Sequence, residues 1–309
     1  MSAPAMIRSQ YGNLFGSNQL PVLEELIWMG YNMHPSKRDL LFKKVSTDRD
    51  LYQSSEIHDL ELFSEVPEGS EYNFKRPKQG AAKTLTVVKY GLGFSISEEW
   101  IDDAKYEPMK QLAEKLGRSA KEAQEVSAMN IFNNGFSSET TSDAVAIFSS
   151  SHTLPSGGTF RNQLSSAADL SVTSLEQALL DYEVQFVGDT GIIYNIRPKY
   201  LVVHPSNKRY ANELIGSDLK ADSADNNMNS FKGEGLMVCS SPHLSDTDAW
   251  FLVSEPSENH LRIVSRKPFE TKAAGPDVGF SSDAVFVKGR YREIIGCLRP
   301  EGLFGTAGA

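Results

Sequence analysis

The stretch that decides the fold is residues 91–134, GLGFSISEEWIDDAKYEPMKQLAEKLGRSAKEAQEVSAMNIFNN. Its second part predicts one long helix over residues 107–134, because Pro108 suits a first helical turn and Asn133-Asn134-Gly135 is a strong stop signal. The apolar side chains of residues 109–129 keep to one narrow, alanine-rich face, as expected of a helix that lies across a sheet. At 1.5 Å per residue such a helix is roughly 40 Å long, which is long for a compact domain of this size.

The segment before this stretch predicts a long hairpin with segregated charge. Thr84-Leu85-Thr86-Val87-Val88 alternates as a strand does, and Pro67, Gly69, Pro77 and Gly80 mark turns. One limb carries acids and no base: Glu56, Asp59, Glu61, Glu65, Glu68 and Glu71. The next carries bases and no acid: Lys75, Arg76, Lys78, Lys83 and Lys89. For an arbitrary protein this layout indicates two solvated faces, and the alternative is a pair of contact surfaces.

The N-terminal residues predict an amphipathic lead-in rather than a domain. Leucines and an isoleucine recur at helical spacing over residues 20–27, behind Pro21 at a first-turn position. Gly30 is expected to end this helix. We therefore expect an arm that packs on another part of the protein or on another molecule.

The C-terminal half predicts a mixed region followed by strands. We expect a strand at Ala144–Phe148, then a helix that begins at Thr173, where Thr173 and Glu176 have capping-box spacing. A buried strand at Tyr200–Val203 leads into a short helix that ends near Leu214. Residues 217–235 form a long polar loop, a feature that tends to be functional. The later strands are predicted at 236–239, 250–253, 261–264, 284–287 and 291–298.

Composition excludes several classes of protein. The 309 residues include 31 Lys and Arg and 40 Asp and Glu, a formal charge of −9, and the cations are spread evenly along the chain. This argues against a main surface that grips nucleic acid. The apolar runs are too short to cross a membrane, for which roughly 20 residues are needed. Cys239 and Cys297 lie in apolar stretches, so we expect buried thiols that stay reduced in a cytosol.

No motif supports catalysis, a cofactor or a metal. His152 follows three serines, which superficially pairs a nucleophile with a base, but the triad lacks an orienting group, so a loop histidine is the preferred interpretation. Asp222, Asp225 and the asparagines at 226, 227 and 229 lack the spacing of a calcium loop. We therefore predict no catalytic, cofactor-binding or metal-binding residue.

Several phrases together resemble the major capsid proteins of tailed bacteriophages, which have the Hong Kong 97-type fold. Residues 91–103 followed by the long helix look like the family's passage from hairpin to spine helix. Phe148-Ser149-Ser150-Ser151-His152 with Asn162 is similar to a phrase in Mu-like major head subunits. Pro198–Pro205 resembles the central strand of the axial domain. Leu298-Arg299-Pro300 with Leu303-Phe304-Gly305-Thr306 resembles the closing strand.

The resemblance implies an α+β fold and a division into capsid parts. These are an N-terminal arm at 1–50, an extended loop at 51–93, a peripheral domain with the spine helix at 94–165, an axial domain at 166–265, returning peripheral strands at 266–298 and an axial strand at 299–309. It implies a structural protein that self-assembles into pentamers and hexamers of an icosahedral shell around double-stranded DNA. The charged limbs then become contacts between subunits, with Glu56, Asp59, Glu61, Glu65, Glu68, Glu71, Lys75, Arg76, Lys78 and Lys83 as candidates.

The resemblance also implies partners and a location. A scaffold, a portal and decoration proteins are expected, the genome is enclosed without specific DNA binding, no membrane is involved, and virion capsids assemble in the host cytoplasm. Some members cross-link a hairpin lysine to an asparagine, but residues 276–290 contain no Asn, so we expect no covalent chain-mail. The chain begins almost at the arm, so it is a processed form or depends on a separate scaffold.

Two other functions stay open at this point. An encapsulin-like cellular shell that encloses a cargo enzyme shares the fold. A hydrolase that uses His152 and a nearby serine belongs to a different class.

Overall fold

The structure is a computed structural model that describes residues 20–57, 60, 62–74, 76, 79–97, 99–100, 103, 106–154, 158–186, 188, 190–217, 229–274 and 284–309. For residues 20–22, 56, 106 and 274 it describes the backbone alone. The chain divides into two compact units. Unit 1 contains Met1–Ser36, Val87–Val126 and Ser265–Glu293, and unit 2 contains Lys37–Thr86, Ser127–Val264 and Ile294–Ala309. The six-part division implied by the resemblance stays a prediction.

Helices and strands are mixed along the described chain. The helices are α1 (Leu20–Asn32), α2 (Arg38–Leu41), α3 (Tyr106–Asn133), α4 (Val172–Gln185) and α5 (Lys208–Gly216), with 3₁₀ turns at Pro205–Asn207 and Ser230–Glu234. The strands are β1 (Lys43–Ser46), β2 (Leu51–Ile57), β3 (Gln79–Thr86), β4 (Val88–Ser97), β5 (His152–Thr153), β6 (Thr159–Phe160), β7 (Pro198–Val203), β8 (Met237–Ser240), β9 (Trp250–Ser254), β10 (Leu261–Ala274), β11 (Ala284–Cys297) and β12 (Leu303–Thr306). Four-stranded sheets have the orders β1-β10-β11-β4 and β12-β9-β7-β8, and β2 pairs with β3 and β5 with β6. No helix in this part of the chain is both long and apolar enough to cross a bilayer.

Within unit 1, α1 crosses α3 at two glycines. A Cβ on Gly30 would lie 2.2 Å from the carbonyl oxygen of Glu114, and one on Gly117 would lie 1.9 Å from that of Ile27. Only glycine permits so close an approach of two helix backbones. The prediction that Gly30 ends the first helix is therefore wrong: α1 continues to Asn32, and Gly30 is where it contacts α3.

The predicted spine helix is confirmed as α3, and within unit 1 it lies on a sheet. Ala113 and Leu116 of α3 share a core with Phe269, Val285 and Val287 of β10 and β11. β4 pairs with β11 in antiparallel register, from Ser97 opposite Ala284 to Val88 opposite Glu293.

One strand replaces two that the sequence predicts at the C-terminal end. β11 runs unbroken through Gly289. A Cβ on Gly289 would lie 2.7 Å from the ring of Phe269, so this glycine makes room for an aromatic side chain instead of a turn.

In unit 2 the sheet β12-β9-β7-β8 is buried on both faces. Val202, Phe251 and Val253 belong to one apolar cluster, and their neighbours Leu201 and Leu252 belong to another. The predicted strands at 200–203 and 250–253 are confirmed, and their continuous apolar runs follow from this two-sided burial.

The boundaries of α4 correct one prediction and confirm another. Ser171, not Thr173, caps the helix: Ser174 N donates to Ser171 Oγ at 3.1 Å, and Ser171 N donates to Ser174 Oγ at 2.8 Å. The predicted helix itself is confirmed, and Leu175, Ala178 and Tyr182 form its buried stripe.

The long polar loop predicted at 217–235 lies mostly outside the described residues, which resume at Asn229. There Asn229 Nδ2 donates to the carbonyl oxygens of Leu214 and Ser217, at 2.6 and 2.9 Å. The end of the loop is therefore fastened to the end of α5.

Candidate functional site

The predicted hairpin is confirmed, and its base is fastened to unit 2 of the same chain. β2 and β3 pair in antiparallel fashion from Leu51 opposite Thr86 onward. Leu85 is buried, and the missing side chain of Gly296 leaves room for it, since a Cβ there would lie 2.7 Å from Leu85 Cδ2. Lys83 Nζ donates to Thr140 Oγ1 at 2.9 Å. The base of the hairpin is thus part of the folded unit.

The hairpin ends in a tight turn at the predicted position. Ser70 N donates to the carbonyl oxygen of Pro67 at 3.0 Å, and Gly69 has a φ of 83°. A positive φ at the third residue defines a type II turn and favours glycine there. We call residues 60 and 62–74, which surround this turn, the loop tip.

The loop tip exposes large apolar side chains. Phe63 is 106% and Phe74 90% exposed. The other exposed apolar residues of the tip are Leu60, Leu62, Val66 and Tyr72. A monomeric soluble protein rarely leaves such a cluster in water, and a patch of this kind marks an interaction site.

The structure places half of the predicted contact residues. Glu65, Glu68 and Glu71 are exposed on the loop tip, and Arg76 is exposed beyond it. Lys83 is half-buried and its ammonium group is bound to Thr140 of its own chain. The side chain of Glu56 and the residues Asp59, Glu61, Lys75 and Lys78 lie outside the described part. Whether these residues form contacts between subunits stays a prediction.

Sequence reasoning missed the apolar part of the tip. Leu62-Phe63, Val66 and Tyr72-Asn73-Phe74 are visible in the sequence, but they have neither helical nor strand periodicity. Their lack of periodicity in a turn-rich segment was the available signal, because apolar residues with no face to bury need another molecule to cover them.

His152 lies at the centre of a buried polar cluster in unit 2. The ring is fully buried, with Nδ1 2.8 Å from Asp143 Oδ2 and the face stacked on Phe160. Its Nε2 lies 3.2 Å from both the carbonyl oxygen of Ile147 and Asn162 Oδ1. The prediction of an ordinary loop histidine is therefore wrong, since the residue belongs to β5 and is enclosed.

Asp143 joins this cluster to the segment after α3. Its carboxylate accepts hydrogen bonds from the hydroxyl of Thr141 and, at 3.2 Å, from Val145 N. Burial by itself raises the pKa of Asp143, but the hydrogen bonds from His152 and Thr141 outweigh it and hold the pKa below its usual value. Ala144 has a φ of 61°, and the strand predicted at 144–148 is absent, because Asp143 draws the backbone into a turn.

The geometry of His152 does not suit a general base. Asn162 Oδ1 already accepts a hydrogen bond from Ser149 N at 2.8 Å, so Nε2 faces two acceptors and must donate. Its other nitrogen is bound to Asp143. With no lone pair directed at a substrate, this cluster does not match the nucleophile-and-base arrangement of hydrolases. Its contacts fasten β5 and Asn162 to the segment after α3.

Cys239 and Cys297 are buried thiols that form no disulfide, as predicted. Burial raises the pKa of the Cys297 thiol, whose Sγ donates to the carbonyl oxygen of Arg299 at 2.9 Å. Among the described residues, no group of three or more His, Cys, Asp or Glu side chains could hold a metal ion. The asparagine and aspartate residues considered as a calcium loop lie outside that part, apart from Asn229.

Solved structures share this fold at low sequence identity. The capsid of the cyanophage P-SCSP1u is 14% identical over 88% of this chain and 87% of its own, with a TM-score of 0.60. The mature capsid of bacteriophage PhiM1 is 14% identical over 89% of this chain and 87% of its own, with a TM-score of 0.57. A virus-like particle from Pyrococcus furiosus is 14% identical over 94% and 99%, with a TM-score of 0.56. No curated protein sequence matches the chain.

A family comparison gives the identity of the chain. The model of a family described as phage capsid protein matches residues 81–305, which run from within the hairpin strand β3 to within the last strand, β12. The likeness to Mu-like head subunits in particular stays a prediction. Together with the α+β architecture, the spine helix and the hairpin, this match shows that the chain belongs to the phage capsid protein family and has the Hong Kong 97-type fold.

Proposed function

We propose that this chain is the major capsid subunit of a tailed phage, which forms pentamers and hexamers and closes them into an icosahedral shell around double-stranded DNA. The observation that carries the proposal is the loop tip. Its apolar side chains are exposed in the single chain, whereas the base of the same hairpin is fixed to the folded unit. A hairpin that is anchored at its base and apolar at its tip suits contact with a second copy of the chain.

Charged residues of the hairpin supply the second part of the contact. Glu65, Glu68, Glu71 and Arg76 are exposed, as contact between subunits requires. Lys83 is bound to Thr140, so its role is to hold the base of the hairpin. Glu56, Asp59, Glu61, Lys75 and Lys78 complete the proposed set by their place in the sequence.

The partners follow from the role of a capsid subunit. A scaffold, a portal and decoration proteins contact the shell, and the genome is enclosed without sequence-specific binding. Assembly takes place in the host cytoplasm, and the chain has no catalytic role. Hydrolysis of generic esters that is lost in His152→Ala would contradict the last statement.

Microscopy of the purified protein tests the proposal. The chain, expressed alone and together with the phage's scaffold, is separated by size, measured by light scattering and imaged in negative stain. We expect rings or closed shells. A compact 34.1 kDa species at every concentration, with and without scaffold, would contradict the proposal.

A cellular shell of the encapsulin kind is the second candidate, favoured by the similarity to the virus-like particle from Pyrococcus furiosus. The content of particles purified from the native host distinguishes the two functions. Double-stranded DNA supports a phage capsid, and a co-purified enzyme supports a cargo shell.

A further inference from the structure

The amide of Asn162 has a fixed orientation beside the buried ring of His152. Its Oδ1 accepts a hydrogen bond from Ser149 N at 2.8 Å, and its Nδ2 donates to the carbonyl oxygen of Ile147 at 2.6 Å. With the amide turned over, its NH₂ group would meet the Ser149 N–H and its oxygen would meet a carbonyl, so the hydrogen bonds decide the assignment. An acceptor, Asn162 Oδ1, therefore faces the imidazole ring.

The ring of His152 lies between acceptors on both sides. Nε2 is 3.2 Å from Asn162 Oδ1 and from the carbonyl oxygen of Ile147, so this nitrogen carries a hydrogen. Nδ1 is 2.8 Å from Asp143 Oδ2. An ionised carboxylate only accepts, so Nδ1 needs a hydrogen as well. A neutral imidazole has one hydrogen for its two nitrogens and can satisfy only one of these sides.

The contacts of Asp143 place the shared proton on the ring and not on the carboxyl group. The other carboxylate oxygen, Oδ1, accepts from the hydroxyl of Thr141 and, at 3.2 Å, from Val145 N. Burial raises the pKa of Asp143, but the hydrogen bonds from His152 and Thr141 outweigh burial and lower the pKa below its usual value. Asp143 is therefore ionised at neutral pH.

We infer that His152 is an imidazolium at neutral pH and forms a buried ion pair with Asp143. The ring is fully buried, and with a hydrogen on both nitrogens each of them donates to an acceptor. A buried charge is tolerated in a protein when it is paired and hydrogen-bonded in this way. The inference concerns the charge state of the subunit and does not depend on the proposed function.

The ion pair lies where three segments of unit 2 meet. Asp143 belongs to the segment after α3, and His152 belongs to β5. Asn162 N donates to the carbonyl oxygen of Ser149 at 3.1 Å, and the carbonyl oxygen of Asn162 accepts from Gly305 N of β12 at 3.0 Å. Loss of one ring hydrogen would leave an acceptor facing a lone pair at this junction. The pair therefore acts as a proton-dependent clamp between these segments.

The charged side chains of the neighbouring segments have other contacts. Arg161 Nη2 donates to both carboxylate oxygens of Asp181 at 3.0 Å, and Lys83 Nζ binds a threonine hydroxyl in the segment after α3. Glu301 and Asp143 line the same cavity, which has a volume of about 380 Å³. His152 is thus the cation that the described residues place against Asp143, and the cavity gives its proton a path to solvent.

Nitrogen NMR of dispersed subunits, isotopically labelled at histidine, tests the charge state directly. An imidazolium gives two resonances of the protonated type, whereas a neutral ring gives one protonated and one unprotonated nitrogen. We expect both nitrogens of His152 to remain protonated at about pH 8, where an imidazole in water has lost its proton. The exposed ring of His34 provides the reference in the same spectrum. Loss of signals in His152→Gln assigns the resonances, and variants of the other histidines assign them by exclusion if this variant does not fold.

Asp143→Asn distinguishes an ion pair from a histidine that is merely packed in the core. The variant removes the charge and keeps a side chain of nearly the same shape. We expect the ring to lose one hydrogen at the same pH, because the carboxylate that favours its charge is gone. Asp50→Asn is the matched control, since it makes the same change of charge at an exposed position of unit 2. It should leave both ring nitrogens protonated.

Two results would overturn the inference. A neutral ring in the parent at about pH 7 would show that one side of His152 faces an acceptor without a hydrogen between them. A ring that stays doubly protonated in Asp143→Asn would show that Asp143 does not hold the charge. Because the measurements use dispersed subunits, neither result depends on whether the chain forms shells.

Discussion

The β12-β9-β7-β8 sheet of unit 2 and the loop tip differ in where their apolar side chains find contacts. Strand β9 buries all five of its residues, and β12 buries all four. At the loop tip, Phe63 and Phe74 are almost entirely in water. The two regions have similar apolar residue types, but only the sheet completes its core within one chain.

This difference separates folding from assembly. A side chain in the β12-β9-β7-β8 sheet contributes to the stability of the subunit, because its burial is already present in the single chain. A side chain at the loop tip contributes only when another molecule covers it. Substitutions in the two regions should therefore affect different measurements.

The largest effect is expected from Trp250→Ala. Trp250 is fully buried in β9, and its Nε1 donates to the carbonyl oxygen of Ala168 at 3.1 Å. Removing a buried aromatic side chain leaves a cavity and costs about 3–5 kcal/mol. Denaturant unfolding of dispersed subunits should show this loss, and shells should fail to form because the subunit is destabilised. If the free energy of unfolding were unchanged, the β12-β9-β7-β8 sheet would not be the core of the subunit.

The next effect is expected from Phe63→Ala/Phe74→Ala. Burial of each ring at a contact stabilises it by about 1.5–3 kcal/mol, which the isolated subunit does not receive. We expect the unfolding curve of the subunit to stay the same while shell yield falls sharply. Leu180→Ala is the control, since Leu180 is an exposed apolar residue of α4 and does not belong to the loop tip. A double variant that assembles normally would show that the tip is not a contact surface.

A smaller effect with a defined pH dependence is expected from Asp143→Asn. The folded-state pKa of Asp143 is depressed, so its ionised form contributes stability above the unfolded pKa, and this contribution is lost as pH falls through the folded pKa. The variant should lose about 1.5 kcal/mol at neutral pH, as for a hydrogen bond to a charged group.

The difference between parent and Asp143→Asn should then narrow as pH is lowered into the acid range. Thermal unfolding at a series of pH values measures it. A difference that stays constant over this range would mean that ionisation of Asp143 does not stabilise the fold. Thr141→Val, which removes one donor to the same carboxylate, should give a weaker loss of the same kind.

Periodicity and turn chemistry predicted the elements that are completed within the chain. Local sequence patterns were sufficient to predict the spine helix, the strands at 200–203 and 250–253, and the hairpin turn. Gly30 was misread as the end of a helix, and two strands were predicted where β11 runs through Gly289. A glycine that permits close packing looks the same in sequence as one that ends an element. The difference depends on which backbone or ring approaches it.

The candidate surfaces were less predictable for a related reason. The acidic and basic limbs are contiguous in sequence and could be recognised. In contrast, the cations that share one side of the paired strands β4 and β11 come from segments about 200 positions apart, Lys89 on β4 and Lys288, Arg290 and Arg292 on β11. The cations of β11 alternate with buried residues, so they look evenly spread along the chain. Only strand register brings them together. His152 was misjudged for the same reason, since Asn162 and Ile147 reach it only in the fold.

The smallest effect is expected from Arg76→Glu/Lys78→Glu in the basic limb. Exposed ion pairs contribute only about 0–1 kcal/mol each, so this change should reduce shell yield without altering the fold of the subunit. Repetition at every contact makes the reduction measurable.

Salt separates this contribution from that of the aromatic tip, because the Debye length falls from about 10 Å at 0.1 M to about 3 Å at 1 M. The parent should therefore lose assembly yield as salt rises, and the variant should start lower and respond less. Lys115→Glu/Arg118→Glu on α3 should keep the salt response of the parent. If Arg76→Glu/Lys78→Glu assembles with the parent's yield and salt response, the basic limb is a solvated surface, and contact through the hairpin depends on its apolar tip.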